Sequence, residues 1–461
     1  MTTTYRTQNP ATGQLLEEFA FATDDEVQQA LTKSAQAYTA WSDLDMAERG
    51  KILVKLADLF DENAEELAAQ ATLEMGKNTR EAIGEVKYCA RIIRYFATEG
   101  ERLTADQPLK NIDGQTAVLR RRSLGPLLGI MPWNFPYYQV IRFAAPNLML
   151  GNTVILKHAE ICAGTALKIE EYMREAGVLD GAYINLFATH DQVSTIIADP
   201  RIHGVSLTGS ERAGAAIGEQ AGRHLKKAVL ELGGSDPYIV LDSADVAASA
   251  RRALFSRLSN SGQTCTSNKR MIIMDDIYDE FVAELAKLAG ELTPGNPAEA
   301  NRSEYAPLSS EAAAVGLMEQ IDEARSAGAN VLVGGQRPDL PGYYVAPTVL
   351  TDIPETSRAY TEELFGPVVM VYRVHSEDEA IELANSSAYG LGGSVFSTDE
   401  TRAQQVADQL DVGMVHINAF NVGGEDLPFG GVKRSGFGRE LGPLGMDEFV
   451  NKQLLTVSQP R

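Results

Sequence analysis

The chain carries a cysteine in a setting built from turn residues. Cys265 lies in "NSGQTCTSNK" (260–269), between an apolar helical pattern and the strand-like "RMIIM". Such a turn buries a core side chain poorly, but it presents a thiol and backbone N–H donors, which a nucleophile and its oxyanion site require. The alternative is a cysteine acting as a small core hydrophobe. No histidine or second cysteine stands two or three residues away, so a base must come from elsewhere in the fold. "VLELGGSDP" offers one: Glu231 closes an apolar strand ahead of Gly233-Gly234. A partly desolvated glutamate there acts as a general base, whereas a solvated one is only a strand end. In "MPWNFPYYQVIRFAAPNLML", Asn134 sits between aromatics and prolines, a rigid mount for an amide that donates to an oxyanion. Eight residues on, Arg142 lies among apolar residues of a helical pattern and needs either a structural carboxylate or an anionic substrate group.

No GxGxxG follows any strand-like run. The phosphate candidate is "LTGSERAG", where Gly209 and Ser210 join a strand to a helix N-terminus. Lys157 and Glu160, after the run "TVILK", are placed for ribose contacts at the neighbouring strand end. Cys89, Cys162 and Cys265 are odd in number and widely spaced, and the six histidines show neither HExxH nor HxH spacing, so neither a disulfide framework nor a metal site is expected.

These residues need a scaffold. From 150 to 240, strand and helix patterns alternate ("NTVILK", "AGTALKIEEYMREAG", "YINLFA", "HDQVSTIIADP", "IHGVSLTG", "SERAGAAIGEQAGRHL", "KAVLELGG"), which predicts a parallel, doubly wound sheet with ligands at the strands' carboxyl ends. The first ~105 residues read as mainly helical, by their three- and four-residue apolar steps. Asp113-Gly114 is a hairpin signal between extended runs, and "LLTVSQP" is a lone strand in need of a partner. A second α/β stretch runs from about 245 to 430. A length of 461 residues implies roughly two or three domains. The net charge of −22 argues against nucleic acid or an anionic membrane as partner, and no apolar run approaches the ~20 residues of a spanning helix. With no signal-peptide pattern at the start, a cytoplasmic protein is expected.

Taken in order, "NPATG" (9–13), "PWNFP" (132–136), "VILKHAE" (154–160), "LTGSERAG" (207–214), "LELGG" (230–234), "NSGQTC" (260–265), "EELFGPV" (362–368) and "PFGGVKRSGFGRELG" (428–442) resemble the aldehyde dehydrogenase superfamily over nearly the whole chain. The resemblance implies an α/β, aldehyde dehydrogenase-like fold. It would comprise a variant Rossmann dinucleotide-binding domain (1–108 and 127–231), an α/β catalytic domain (232–449) and a small β oligomerisation arm (109–126 and 450–461) that makes a homodimer or homotetramer. It implies Cys265 as nucleophile, Glu231 as base for thioester hydrolysis, and Asn134 with the Cys265 N–H as oxyanion site. Trp133, Lys157, Glu160, Gly209, Ser210, Gly233, Glu363 and Phe365 would hold the cofactor, and Glu440 matches a glutamate linked to proton relay or support.

Within the family, "VIRFAAPNLMLGNTVILKHA", "LELGGSDPYIV" and "YTEELFGPV" resemble bacterial succinate-semialdehyde dehydrogenases, including His158 where others have proline. This implies a small aldehyde with a distal carboxylate as substrate, gripped by Arg142. A second arginine found in related enzymes is replaced by Ser259, with Arg257 two residues earlier as a substitute, and Ser267 removes a disulfide partner for Cys265. Glu160 would accept from the free 2′-OH of NAD and repel a 2′-phosphate, which implies NAD with some NADP use. Glutarate semialdehyde, a neutral aldehyde, transfer to coenzyme A and a non-catalytic binding protein are the competing readings; Glu231 favours hydrolysis over acyl transfer.

Overall fold

The computed structural model describes residues 4–112, 115–299, 301, 303–420 and 422–458. One half is a six-stranded sheet, ordered Gly436–Phe437, Lys227–Glu231, Gly204–Thr208, Pro126–Met131, Thr153–His158, Tyr183–Asn185. All neighbours pair parallel except the short Gly436–Phe437, which adds antiparallel to the edge. The buried run of "TVILKH" shows why these strands form: both faces are covered, so apolar β-branched residues run without alternation. Helices Ala163–Ala176, His190–Ala198 and Glu211–Arg223 cross over between them. The first of these stops at Gly177, in the left-handed region at φ +103°.

A seven-stranded sheet, ordered Asn330–Val333, Thr348–Thr351, Val368–Val374, Arg270–Met274, Pro237–Val240, Gly392–Phe396, Met414–Ile417, makes the other half. It is parallel but for its first strand. A third sheet joins Gln107–Ile112 and Val450–Val457 to the two edges of Gln115–Ser123. The C-terminal strand thus finds its partner in the early extended run; Asp113-Gly114 and 459–461 lie outside the described residues.

The N-terminal segment departs from the helical expectation in two places. Thr4–Gln8 and Leu15–Ala20 form an antiparallel pair, and Tyr5 turns its hydroxyl to the carbonyls of His158 (3.4 Å) and Ala188 (3.3 Å). The strand formers Thr4, Tyr5 and Thr7, with Tyr5 and Thr7 buried at alternate positions, make this a strand. The periodic run 47–76 is two helices, Met46–Glu62 and Ala64–Met75, broken at Asn63. Among the described residues no helix is long and apolar enough to cross a membrane.

Candidate active site

The carboxyl ends of four parallel strands line up, and the polar motifs follow them directly. Pro132 to Asn134 follow one strand, Lys157 ends the next and Glu160 follows it, Gly209 and Ser210 follow a third, and Leu232 to Gly234 a fourth. Ser210 caps helix Glu211–Arg223 through a bond from Ala213 N (3.3 Å), leaving amides of that N-terminus for an anion. A cavity of about 290 Å³ opens here, lined by Trp133, Asn134, Gly209, Ser210, Gly233, Cys265, Glu363 and Phe365 among others. Trp133 and Phe365 meet edge to face at 5.8 Å in its lining. Gly233 and Gly234 permit two close approaches: a Cβ at the first would lie 2.5 Å from Glu363 Oε2, and at the second 2.6 Å from the Cys265 carbonyl.

Lys157 is buried with its ammonium 5.4 Å from the Tyr5 ring, and burial lowers its pKa while Glu160 opposes. His158, also buried, accepts from Ala159 N at Nδ1 (2.7 Å) and so donates from Nε2 to Pro136 O (2.9 Å). Burial pulls it down to about 4, so the neutral ring pins "PWNFP" to the strand end.

A second cavity, about 690 Å³, lies on the other side of Cys265. Tyr88, Tyr138, Arg142, Ser259, His416 and Phe429 line it, with Glu81 and Glu85 from one helix. Cys265 and Gln139 belong to both walls. The thiol is half-buried, whereas Cys89 and Cys162 are fully enclosed. Burial pushes the Cys265 thiol up; Lys269 and Arg142 pull it down, while Glu363 and Glu231 push it further up.

The loop bearing Cys265 is held from several sides. Asn260, Ser261 and Gly262 are successive left-handed residues at φ +52°, +54° and +75°, a costly backbone unless its surroundings impose it. Glu81 accepts from Asn260 N (3.0 Å) and Ser259 Oγ (3.0 Å), Asn260 Nδ2 donates to Asn134 O (2.8 Å), and Asn134 Nδ2 donates to Gln263 O (3.1 Å). The oxyanion candidate and the nucleophile loop are thus bonded to each other. Four residues after Glu81, Glu85 accepts from both Tyr137 N and Tyr138 N (2.9 Å each) and pairs with buried Lys77. One helix, Thr79–Thr104, therefore anchors both the Asn134 and the Cys265 segments with carboxylates at i and i+4.

Glu231 lines neither cavity. It is 2% exposed, both carboxylate oxygens lack a hydrogen-bond partner, and a Cβ on Gly430 would come within 2.7 Å of Oε1. Burial drives its pKa well above the ordinary carboxylate value; Arg142 opposes and Glu440 adds to the rise. Arg142 is wholly buried, ion-paired with Glu440, and sandwiched between the rings of Tyr138 (4.9 Å) and Phe429 (4.3 Å). Of the two partners foreseen for it, the structure supplies the intramolecular carboxylate; its remaining contacts, to Tyr138 Oη and Thr208 Oγ1, are long at 3.4 Å each.

Arg257 requires a correction. It is fully buried and absent from the cavity walls; its donors go to the carbonyls of Gly262, Leu364, Gly366 and Val368 and to Ser267 Oγ, at 2.7–2.9 Å. A guanidinium with its donors so engaged holds the loop and has none left for a substrate. Lys269, Glu81 and Glu85 escaped sequence reasoning, although a lysine opening a buried strand and two glutamates one helical turn apart were visible signals. Among the described residues no group of three His, Cys, Asp or Glu side chains stands close enough to hold a metal.

The family model "Aldehyde dehydrogenase family" matches residues 1–455. A succinate-semialdehyde dehydrogenase (NADP(+)) of Deinococcus radiodurans is 52% identical over 451 residues, covering 98% of this chain and 94% of the relative. Succinate-semialdehyde dehydrogenase (NADP(+)) 1 of Mycobacterium bovis is 42% identical over 447 residues, covering 96% and 98%. The crystal structure of succinic semialdehyde dehydrogenase from Streptococcus pyogenes, in complex with NADP+, superposes with TM-score 0.96 at 42% identity, covering 99% of this chain and 100% of that one.

Proposed function

Because the chain belongs to the aldehyde dehydrogenase family, we propose that it oxidises succinate semialdehyde to succinate with a nicotinamide dinucleotide, through a thioester on Cys265. The observation that carries this is the placement of Cys265 in the wall shared by two cavities, one with a strand-end phosphate cradle and one with an aromatic and cationic lining. The relatives named above are succinate-semialdehyde dehydrogenases, which fits the same substrate.

The smaller cavity suits the nicotinamide end of a dinucleotide, with Glu363 and Phe365 on that side and Ser210 and its helix N-terminus for the pyrophosphate; Lys157 and Glu160, at the neighbouring strand end outside its lining, would take the adenosine ribose. When bound, the dinucleotide supplies the hydride acceptor. The chain's own residues do the rest. Cys265 Sγ, its proton released to water through the larger cavity, adds to the aldehyde carbon, and Asn134 Nδ2 with the Cys265 N–H stabilises the oxyanion. Departure of the hydride leaves a thioester. Glu231, which no hydrogen bond holds in its buried cluster, turns out of it to the thioester, ionises once it is no longer buried, and takes a proton from the attacking water; the thiolate leaves and the acid is released. Aldehyde, oxidised dinucleotide and water become carboxylate, reduced dinucleotide and two protons.

Both dinucleotides are assigned as cofactors. Lys157 suits a 2′-phosphate, in keeping with relatives named for NADP, whereas Glu160 suits the free hydroxyl and tilts the balance to NAD. Self-association is part of the same reading: the three-stranded sheet ends in Val450–Val457, where Leu454 is 62% and Val457 59% exposed. The deciding experiment measures kcat/KM for succinate semialdehyde, glutarate semialdehyde and butanal against NAD and NADP, with and without coenzyme A. The reading predicts succinate as product and succinate semialdehyde as the best substrate; a higher kcat/KM for butanal, or an acyl-coenzyme A product, would refute it.

A further inference from the structure

One buried cation beside the nucleophile takes no part in the chemistry above. Lys269, the residue before strand Arg270–Met274, is fully enclosed. Its ammonium has three donors, and three oxygens surround it: Thr264 O and Cys265 O, both at 2.8 Å, and Glu363 Oε1 at 3.0 Å. Two of these belong to the nucleophile loop. The third belongs to a carboxylate that lines the smaller cavity and also accepts from Gly234 N (3.2 Å).

Resting on the reading of Cys265 as nucleophile and Glu363 as a dinucleotide contact, we propose that Lys269 is a positioning residue that transmits occupancy of the dinucleotide cavity to the nucleophile loop. A buried ammonium depends on the acid paired with it. Hydroxyl groups that donate to Glu363 disperse its negative charge, and the ammonium then draws more tightly on the Thr264 and Cys265 carbonyls. This fixes the Cys265 N–H and Sγ, and leaves more positive potential for the thiolate. Four charged groups face the thiol: Lys269, Arg142, Glu363 and Glu231. Arg142 is already committed to Glu440. Lys269 also faces Asp236, a buried acid that lies behind the loop and outside the dinucleotide cavity. Lys269 is thus the cation whose compensation changes when the cavity fills.

The test is alkylation of Cys265 by iodoacetamide between pH 6 and 10, without aldehyde, with and without saturating NADP. The readout is the midpoint of the pH profile, which shielding of the thiol by the ligand does not move. In the wild type NADP should lower the midpoint by about one unit, a tenfold change in thiolate at a fixed lower pH. Lys269→Met should abolish the shift, and Lys269→Arg should keep part of it. Glu363→Gln should give, without ligand, a midpoint close to that of the wild type with NADP. Should Lys269→Met fail to fold, the Lys269→Arg and Glu363→Gln profiles decide. A full NADP shift in Lys269→Met or in Glu363→Gln, or no shift in a wild type that still reduces NADP with aldehyde, overturns the proposal. A wild type whose Cys265→Ala variant reduces NADP equally well would instead defeat the reading on which it rests.

Discussion

Replacing Arg142 by methionine removes one cation from a buried cluster that holds two carboxylates. Glu440 loses its ion partner and Glu231 its nearest opposing charge. Breaking a buried pair from one side costs about 3–5 kcal/mol. The sandwich between Tyr138 and Phe429 is worth ~1–2 kcal/mol as a cation–π contact, of which the methionine sulfur restores about 1 kcal/mol. The net loss is about 4 kcal/mol, read as a lower guanidinium midpoint of the first cooperative transition.

Two further measurements make this specific. Arg142→Met/Glu440→Gln removes both charges and should return to within ~1 kcal/mol of the wild type. Burial raises the pKa of both Glu231 and Glu440, so the native state binds more protons than the unfolded one above the ordinary carboxylate range. Stability from these groups therefore falls as pH rises, and the Arg142→Met defect should be larger at pH 8 than at pH 6. In the stable double variant, loss of a charged hydrogen bond to the substrate, about 1.5–3 kcal/mol, should raise KM for succinate semialdehyde roughly 10- to 100-fold and spare butanal. A cost below 1 kcal/mol for Arg142→Met, or a double variant no more stable than the single, refutes the ion-pair argument. Equal KM rises for both aldehydes refute the carboxylate grip.

Glu231→Gln should permit one turnover and then stall, giving a stoichiometric burst of reduced dinucleotide and a steady-state rate lower by about 10²–10⁴-fold; a proportional loss of the burst would remove Glu231 from the hydrolytic step. Asn134→Ala should lower kcat about 10²–10³-fold with little change in dinucleotide binding, checked by fluorescence titration alongside initial rates. Glu160→Ser should raise the NADP to NAD ratio of kcat/KM roughly tenfold by removing a negative charge from the ribose site; an unchanged ratio places Glu160 away from the 2′ position. Leu454→Asp should shift light scattering toward a smaller species, while an unchanged mass argues against the three-stranded sheet as the contact.

The parts of the site that could be read from the sequence were those whose signal is local. Gly209-Ser210 between strand and helix and Glu231 before two glycines each announce a strand end in a few residues, and Cys265 announces a polar turn. What escaped depends on contacts between distant segments. Glu81 reaches Asn260 across 179 positions, and Arg142 reaches Glu440 across the six-stranded sheet's far edge, so neither partner shows in local periodicity. Arg257 shows the same limit: a position near Cys265 suggested substrate, but three of its four carbonyl partners lie over a hundred residues away in the segment 364–368. The N-terminal strand pair was hidden because Tyr5 gains its burial from His158 and Ala188.

The thiol shared by two cavities also has a kinetic consequence. Each molecule reaches Cys265 through its own opening, so neither must leave for the other to enter. Double-reciprocal plots of initial rate should therefore intersect instead of running parallel. The acid product likewise has an exit that the dinucleotide does not obstruct, and the order of release is set by relative off-rates and not by one ligand blocking the other's path.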